Sequence, residues 1–454
     1  MAQPASLARE QPEAGKLMTY SFMLPPNAGR FVLANATLPA VTVSGFAAEA
    51  NEGLVKADIV ITDGAISAIL PPGTAPAEFA KSDMREGMVW PCFADIHTHL
   101  DKGHIWPRKP NPDGTFMGAL EAVGRDREAN WSAADVRKRM EFSLRSAYAH
   151  GTGLIRTHLD SLAPQHRISF EVFAELRDEW KEKIALQAVA LFPLDNMADE
   201  SFFADLVAVV KDKGGLLGGV TRMGQSLDWQ LDTLLHAAAK NCLDVDLHVD
   251  ETDDPDAETL KAIAEAVLRN RFEGKVTAGH CCSLARQDDD TAKRTVDLVH
   301  KAGVSVISLP MCNMYLQDRY PGRTPRWRGV TLFKELAAAG VETAVSSDNT
   351  RDPFYAYGDL DPVEVFREAV RILHLDHPLD NAARVVTASP AKIAGRPQMG
   401  RIAVGSPADL VLFSARRWSE FLSRPQSDRV VLRRGKVIDR SLPDYRELDS
   451  VVGG

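Results

Sequence analysis

The chain has 454 residues, 45% of them apolar and 25% charged, and a formal net charge of −9. Such a chain has the composition of a soluble globular protein and the length for one large domain with an accessory. Its acidic balance argues against a general nucleic-acid binder, and no run of roughly 18 apolar residues predicts a membrane span. Five cysteines without a C-x-x-C pair fit a reducing cytoplasm better than a disulfide framework.

Residues 1–27 lack an apolar h-region and are expected to be a loose tail rather than a secretory signal. Residues 28–90 read as short strands and turns, in "GRFVLANATLPAVTVSG" and "KADIVITDGAISAILPPG". From 91 to 391, eight β-like runs alternate with longer helical stretches. The runs are apolar without clean alternation, the sign of strands buried on both faces in a parallel sheet. Between them lie helices such as "DAETLKAIAEAVLRNRF", with Leu260, Ile263, Ala264, Val267 and Leu268 on one face. Ser132, in "WSAAD", is placed to cap the helix that follows. Eight strand-helix units over about 300 residues predict an α/β (β/α)₈ TIM barrel. Residues 392–445 return to short strands, in "MGRIAVGSPADLVLF" and "DRVVLRRGKVIDR". Neither flank is long enough to bury a core alone, so 28–90 and 392–445 are expected to pair into one composite β-sandwich.

In such barrels, reactive groups sit at the C-terminal strand ends. The first predicted strand ends in His97 and His99, the second in His158 and Asp160, and the fifth in His248 and Glu251. The sixth ends in His280 and the eighth in Asp348 and Asn349. Residues i and i+2 of a strand face the same way, so His97 and His99 can grip one ion. With His248 and Asp348 they make an N₃O set suited to one divalent ion, Zn²⁺ or Fe²⁺. A lone H-x-H fits an ordinary buried or surface pair equally well; the conjunction of several strand ends argues for the metal. On this reading Glu251 shuttles protons at the substrate, Asp348 receives a proton from the attacking water, and His280 polarises the attacked centre or orients the nucleophile. His158 has two readings, a site residue or a satisfied core histidine. Cys281 and Cys282 read as small core residues behind His280. The loop "QDRYPGRTPRWRG" interleaves basic and aromatic residues, and at this net charge reads as a folded lid or subunit contact.

"HTHLD", "RTHLD", "HVDE", "VTAGH", "NMYLQDRY", "SSDNTRDPF" and "GRIAVGSPADLVLF" together resemble the amidohydrolase superfamily, and within it the cytosine deaminases, from about residue 28 to 440. The resemblance implies a single iron or zinc on His97, His99, His248 and Asp348. It also implies Glu251 as the acid that protonates a ring nitrogen, and His280 beside a metal hydroxide that attacks a C–NH₂ carbon with release of ammonia. No lysine ends the fourth strand, which argues against a carboxylated-lysine two-metal site. The departures fall where substrate is read. Leu194 takes the place of a glutamine that binds the pyrimidine edge, Asn349 that of an aspartate, and Phe354 that of a tryptophan. A leucine leaves a polar ring edge unpaired, which can cost as much as about 10⁴–10⁵ in selectivity, so cytosine itself is a poor expectation. Lys102 and "SDNTRD" resemble the N-isopropylammelide hydrolases, which implies an alternative: release of an alkylamine from a triazine, or opening of a cyclic amide. Lys102 either meets a substrate oxygen at the pocket rim or pairs with Asp101 at the surface. The expected partner is a small heterocyclic substrate, with neither nucleic acid nor membrane; the family's habit of assembling leaves a homo-oligomer open.

Overall fold

In the computed structural model, residues 21–453 are described. The expected tail therefore falls mainly outside the described residues. At its end, Ser21–Met23 form one 3-10 turn that buries Met23 in a β-sheet core, and Ser82 Oγ donates to the Leu24 carbonyl over 2.7 Å.

The eight expected barrel strands are all present. They are β1 (Phe93–Thr98), β2 (Thr152–Asp160), β3 (Ala185–Leu191), β4 (Leu217–Val220), β5 (Val245–Val249), β6 (Val276–His280), β7 (Ser305–Ser308) and β8 (Thr343–Val345). Neighbours pair in parallel from β1 to β3 and from β4 to β8. Parallel bridges Val189–Leu216 and Pro193–Val220 join β3 to β4, and Thr98–Asp348 closes the ring. β1 and β2 are buried at every residue, which explains why neither alternates apolar with exposed polar residues.

Helices cover the outside. Ala133–His150 starts where the Ser132 side chain accepts from the Asp135 amide, as expected, and ends at Gly151 with φ 97°. In Thr259–Asn270, Leu260, Ile263, Ala264 and Val267 are buried on one stripe, with Leu268 only half-buried.

Both flanks build the accessory layer. One four-stranded sheet orders Ala65–Leu70, Leu54–Thr62, Arg30–Pro39 and Ala80–Asp83. The other places C-terminal Leu410–Leu412 antiparallel to Val89–Pro91, and Ile402–Ala403 runs parallel to Val43–Ser44. Their shared core mixes Phe31, Leu33, Ile59 and Ile61 with Ile402, Leu410, Leu412 and Leu432, so neither flank folds around its own interior. Trp90 joins this layer to the barrel, stacking on Phe421 at 4.9 Å and meeting Phe366 edge-on at 5.4 Å. Among the described residues, no helix is long and apolar enough to cross a membrane.

Candidate active site

The strand ends converge as the period-2 argument requires. His248 Nε2 lies 3.2 Å from His97 Nε2 and 3.2 Å from His99 Nε2. Asp348 Oδ1 is 3.1 Å from His99 Nε2 and 3.8 Å from His97 Nε2. Gly279, on β6 beside His248, makes room for this packing: a Cβ there would stand 2.5 Å from His97 Cε1. Asp348 turns into the site from a backbone with φ 65°, its amide donating to the His97 carbonyl over 2.9 Å.

The donor set suits a divalent cation. Burial holds His97, His99 and His248 well below the usual histidine value, which keeps the imidazoles neutral with free lone pairs. Three nitrogens and one carboxylate oxygen facing each other repel unless a cation lies among them. Both Asp348 oxygens are buried without a hydrogen-bond partner, and burial pushes its carboxyl up to about 7. Metal–nitrogen bonds of about 2.0–2.1 Å set tetrahedral donors about 3.3–3.4 Å apart, close to the spacing seen here. Other buried groupings, His97–His158–His248 and His97–His280–Asp348, also bring donors within 4.8 Å. The first omits His99, which lies as near to His248 as His97 does and nearer to Asp348; the second takes in His280, whose Nδ1 meets Asn313 at 2.9 Å and whose Nε2 has no partner.

Glu251 follows His248 out of β5 and turns over the site. Its Oε1 accepts from Asn313 Nδ2 at 3.2 Å and lies 3.4 Å from His280 Nδ1. Burial first, and the Asp348 charge next, push Glu251 well above the usual glutamate value, which favours its protonated form. Asp250, between His248 and Glu251, sits at φ 47° and caps the next helix, accepting from the Thr259 and Leu260 amides at 3.1 and 2.9 Å. Its carbonyl accepts from the Cys282 amide at 2.9 Å, tying the β5 and β6 ends together.

These groups open onto a cleft of about 840 Å³. Lys102 lines it, but neither as a surface residue nor as the partner of Asp101: it is buried and paired to Asp160 at 2.9 Å, and Arg127 meets the same carboxylate at 2.8 Å. The Lys102 ammonium also lies 5.3 Å from the Phe354 ring centroid. Phe354 and Asn349 both line the cleft, with the Asn349 amide donating to Asp352 at 2.7 Å.

Two expected substrate contacts lie elsewhere. Leu194 is 1% exposed and belongs to the apolar core, its side chain filling the space that Gly219 leaves by having no Cβ. A 3-10 turn, Leu194–Ala198, rotates it inward, and Phe192 and Pro193 form the wall instead. His158 is fully buried and does not reach the cleft wall; its ring packs 4.1 Å from His97, and Nε2 lies 3.8 Å from Asp246. Cys281 and Cys282 are buried, as expected of core residues. The 317–329 loop is folded on itself, Asp318 receiving Arg323 and the Arg326 and Trp327 amides, and Tyr320 reaches Asp253 on the cleft rim at 3.3 Å. Sequence reasoning missed Asn313, Gln317 and Arg127. The only signal for Asn313 and Gln317 was polar residues in the otherwise apolar turn after β7.

A model of the amidohydrolase family matches residues 145–439. The chain is 79% identical over 436 residues, 96% of its length and 100% of the other's, to a pterin deaminase from Rhizobium rhizogenes. It is 23% identical to an N-isopropylammelide isopropyl amidohydrolase from Pseudomonas, over 73% of this chain and 81% of that one. Its fold matches that of a 5-methylcytosine deaminase from Klebsiella pneumoniae with a TM-score of 0.76 at 23% identity, covering 91% of this chain and 98% of that one. The converging imidazoles and carboxylate thus sit on a scaffold shared with deaminases, in a chain alignable with one of them along that relative's entire length. The chain belongs to the amidohydrolase family, as a metal-dependent hydrolytic deaminase of a heterocyclic amine.

Proposed function

We propose that the substrate is a pterin, a 2-amino-4-oxopteridine, hydrolysed at C2 to the 2,4-dioxo ring and ammonia. The observation that carries this is the 79% identity over the whole of the Rhizobium pterin deaminase. The cleft supports it: about 840 Å³ with a largely hydrophobic lining that includes Phe116, Phe192 and Phe354, it has ample room for a flat bicyclic ring.

On this reading His97, His99, His248 and Asp348 hold one zinc or iron ion. When bound, the ion supplies acidification of a water, from a pKa of about 15.7 towards about 7. Asp348 takes the proton the water gives up. Glu251 donates its proton to the ring nitrogen beside C2, which makes that carbon the better electrophile. His280 orients the incoming oxygen; the amine departs as ammonia with the proton that Asp348 took up, and Glu251 recovers its proton from the hydroxyl on C2, which becomes the carbonyl. One water is consumed and one C–N bond exchanged for C–O, with no net redox change. Lys102, held by Asp160, meets a ring oxygen, while Phe354 and Asn349 border the ring. The barrel at 91–391 carries the chemistry, with the paired flanks at 28–90 and 392–445 as its support. Free thiols at Cys92, Cys281, Cys282 and Cys312 accord with a cytoplasmic setting.

Turnover in ¹⁸O-water tests the reaction. The expected product carries one ¹⁸O at C2 and appears one-to-one with ammonia. A product without the label, or ammonia without the dioxo ring, would overturn it.

A further inference from the structure

Asn313 is fully buried in the helix Pro310–Leu316, at the foot of Glu251, assigned to proton donation, and His280, assigned to orienting the incoming oxygen. Its Nδ2 lies 2.9 Å from His280 Nδ1 and 3.2 Å from Glu251 Oε1. The helix fixes it locally: its amide donates to the Leu309 carbonyl at 2.9 Å, and its carbonyl accepts from the Gln317 amide at 2.8 Å. Gln317 in turn donates from its side chain to the Glu251 carbonyl at 3.2 Å.

We propose that Asn313 is the positioning residue that locks His280 in its Nε2–H tautomer and holds Glu251 beside it. This rests on the reading of Glu251 as the proton donor and His280 as the group that orients the incoming oxygen. A side-chain amide has two N–H donors, and two acceptors lie within reach of this one. An N–H aimed at Nδ1 requires a lone pair there, so the ring proton belongs on Nε2. The reversed amide would place Oδ1 against both groups, demand a proton on His280 Nδ1 and on the facing Glu251 oxygen, Oε1, and leave two buried N–H donors without acceptors, where the present orientation leaves only the Oδ1 acceptor without a partner. Since an unmade hydrogen bond in a buried site costs more than a made one contributes, the orientation with both donors used is favoured.

The consequence reaches the reaction centre. His280 Nε2 is buried without a partner, and nitrogens of His280 and His97 lie with an Asp348 oxygen within 4.8 Å of one another. The Nε2–H is therefore a donor directed at the reacting oxygen, and the second Asn313 N–H stabilises the Glu251 carboxylate once its proton has passed to the ring. One amide thus serves both the orienting histidine and the proton-donating carboxyl.

The test is ¹⁵N NMR of histidine-labelled, zinc-loaded enzyme, with His280 assigned by difference from His280→Gln. The wild type is expected to show a pyridine-type shift at Nδ1 and a pyrrole-type shift at Nε2. Asn313→Asp, which can only accept when ionised, should reverse the two, keep the metal content of the wild type, and lower kcat about 10²–10⁴-fold with KM little changed. A pyrrole-type Nδ1 in the wild type, including one that accompanies metal ligation at Nε2, would overturn the proposal whatever the variants do. So would an Asn313→Asp enzyme with unchanged tautomer or unchanged kcat. If Asn313→Asp fails to fold, Asn313→Ser takes its place, since it keeps a single donor and should retain the tautomer with partial activity. Full turnover by Glu251→Gln would instead remove the reading of Glu251 beneath the proposal, a failure distinct from a wrong tautomer.

Discussion

Gly279→Ala places one methyl group against the imidazole that anchors the site. The new Cβ would stand 2.5 Å from His97 Cε1 and 2.8 Å from Nδ1, so the ring must retreat by about 0.9 Å to reach the 3.4 Å at which ordinary contacts begin. It has little room to do so. His97 is 0% exposed, with the His158 ring centred 4.1 Å away and the His248 ring 4.5 Å away. Overpacking of this kind costs about 1–3 kcal/mol of stability. Displacing a reacting or ligating group by about 1 Å costs about 10²-fold in rate, or about 2.7 kcal/mol. The variant is therefore expected to fold, melt several degrees lower, bind less than one metal per chain, and lose about 10²-fold in kcat/KM. Metal content by elemental analysis, a thermal melt and an ammonia assay read these out together. Full metal occupancy with wild-type kcat/KM would refute the packing argument and His97 as a ligand with it.

Other outcomes follow from the same geometry. Glu251→Gln keeps the shape and the Asn313 contact but has no proton to give, so metal content should be unchanged and kcat should fall about 10²–10⁴-fold; unchanged turnover would remove Glu251 from the mechanism. Leu194→Ala should cost about 2–5 kcal/mol in chemical denaturation while KM stays put, because the side chain fills the core; a raised KM at normal stability would return Leu194 to the substrate. Burial alone would raise Asp361, but its charge pairing with Arg429 and His150 brings it down to about 2 from 3.8. A lowered carboxyl contributes stability that is complete above the unfolded value and fades as pH falls through the folded one, here from about pH 5 to pH 2, worth about 2 kcal/mol. The stability gap between wild type and Asp361→Asn should shrink over that window, and a gap constant with pH would contradict it.

Much of this was written in the chain because barrels place chemistry at strand ends. His97, His99, His248, Glu251, His280 and Asp348 each follow an apolar run, so their convergence is a matter of strand period and fold class. What stayed hidden depends on three-dimensional turns. The start of the run "GMVWPCFADIHTHLD", "GMVWPCFA", carries no polar side chain, yet Val89–Pro91 pairs with the sandwich and Phe93–Thr98 with the barrel; hydrophobicity does not mark the handover. Leu194 was misplaced because a 3-10 turn and a missing Cβ at Gly219, neither visible in local pattern, rotate it into the core. Asp160 pairs with Lys102 from the end of a different strand, a partner that sequence adjacency to Asp101 concealed. Asn313 sits in an apolar helix whose one polar member has meaning only beside His280 and Glu251.

The central claim is that this site deaminates a 2-amino-4-oxopteridine ring. It is tested most directly by kcat/KM for ammonia release from pterin, measured beside cytosine, 5-methylcytosine, isoguanine and ammeline with the same metal-loaded enzyme. The account predicts rapid release from pterin and at least a 10²-fold lower kcat/KM, as an order of magnitude, for the single-ring pyrimidines. Turnover of cytosine with none of pterin would contradict it.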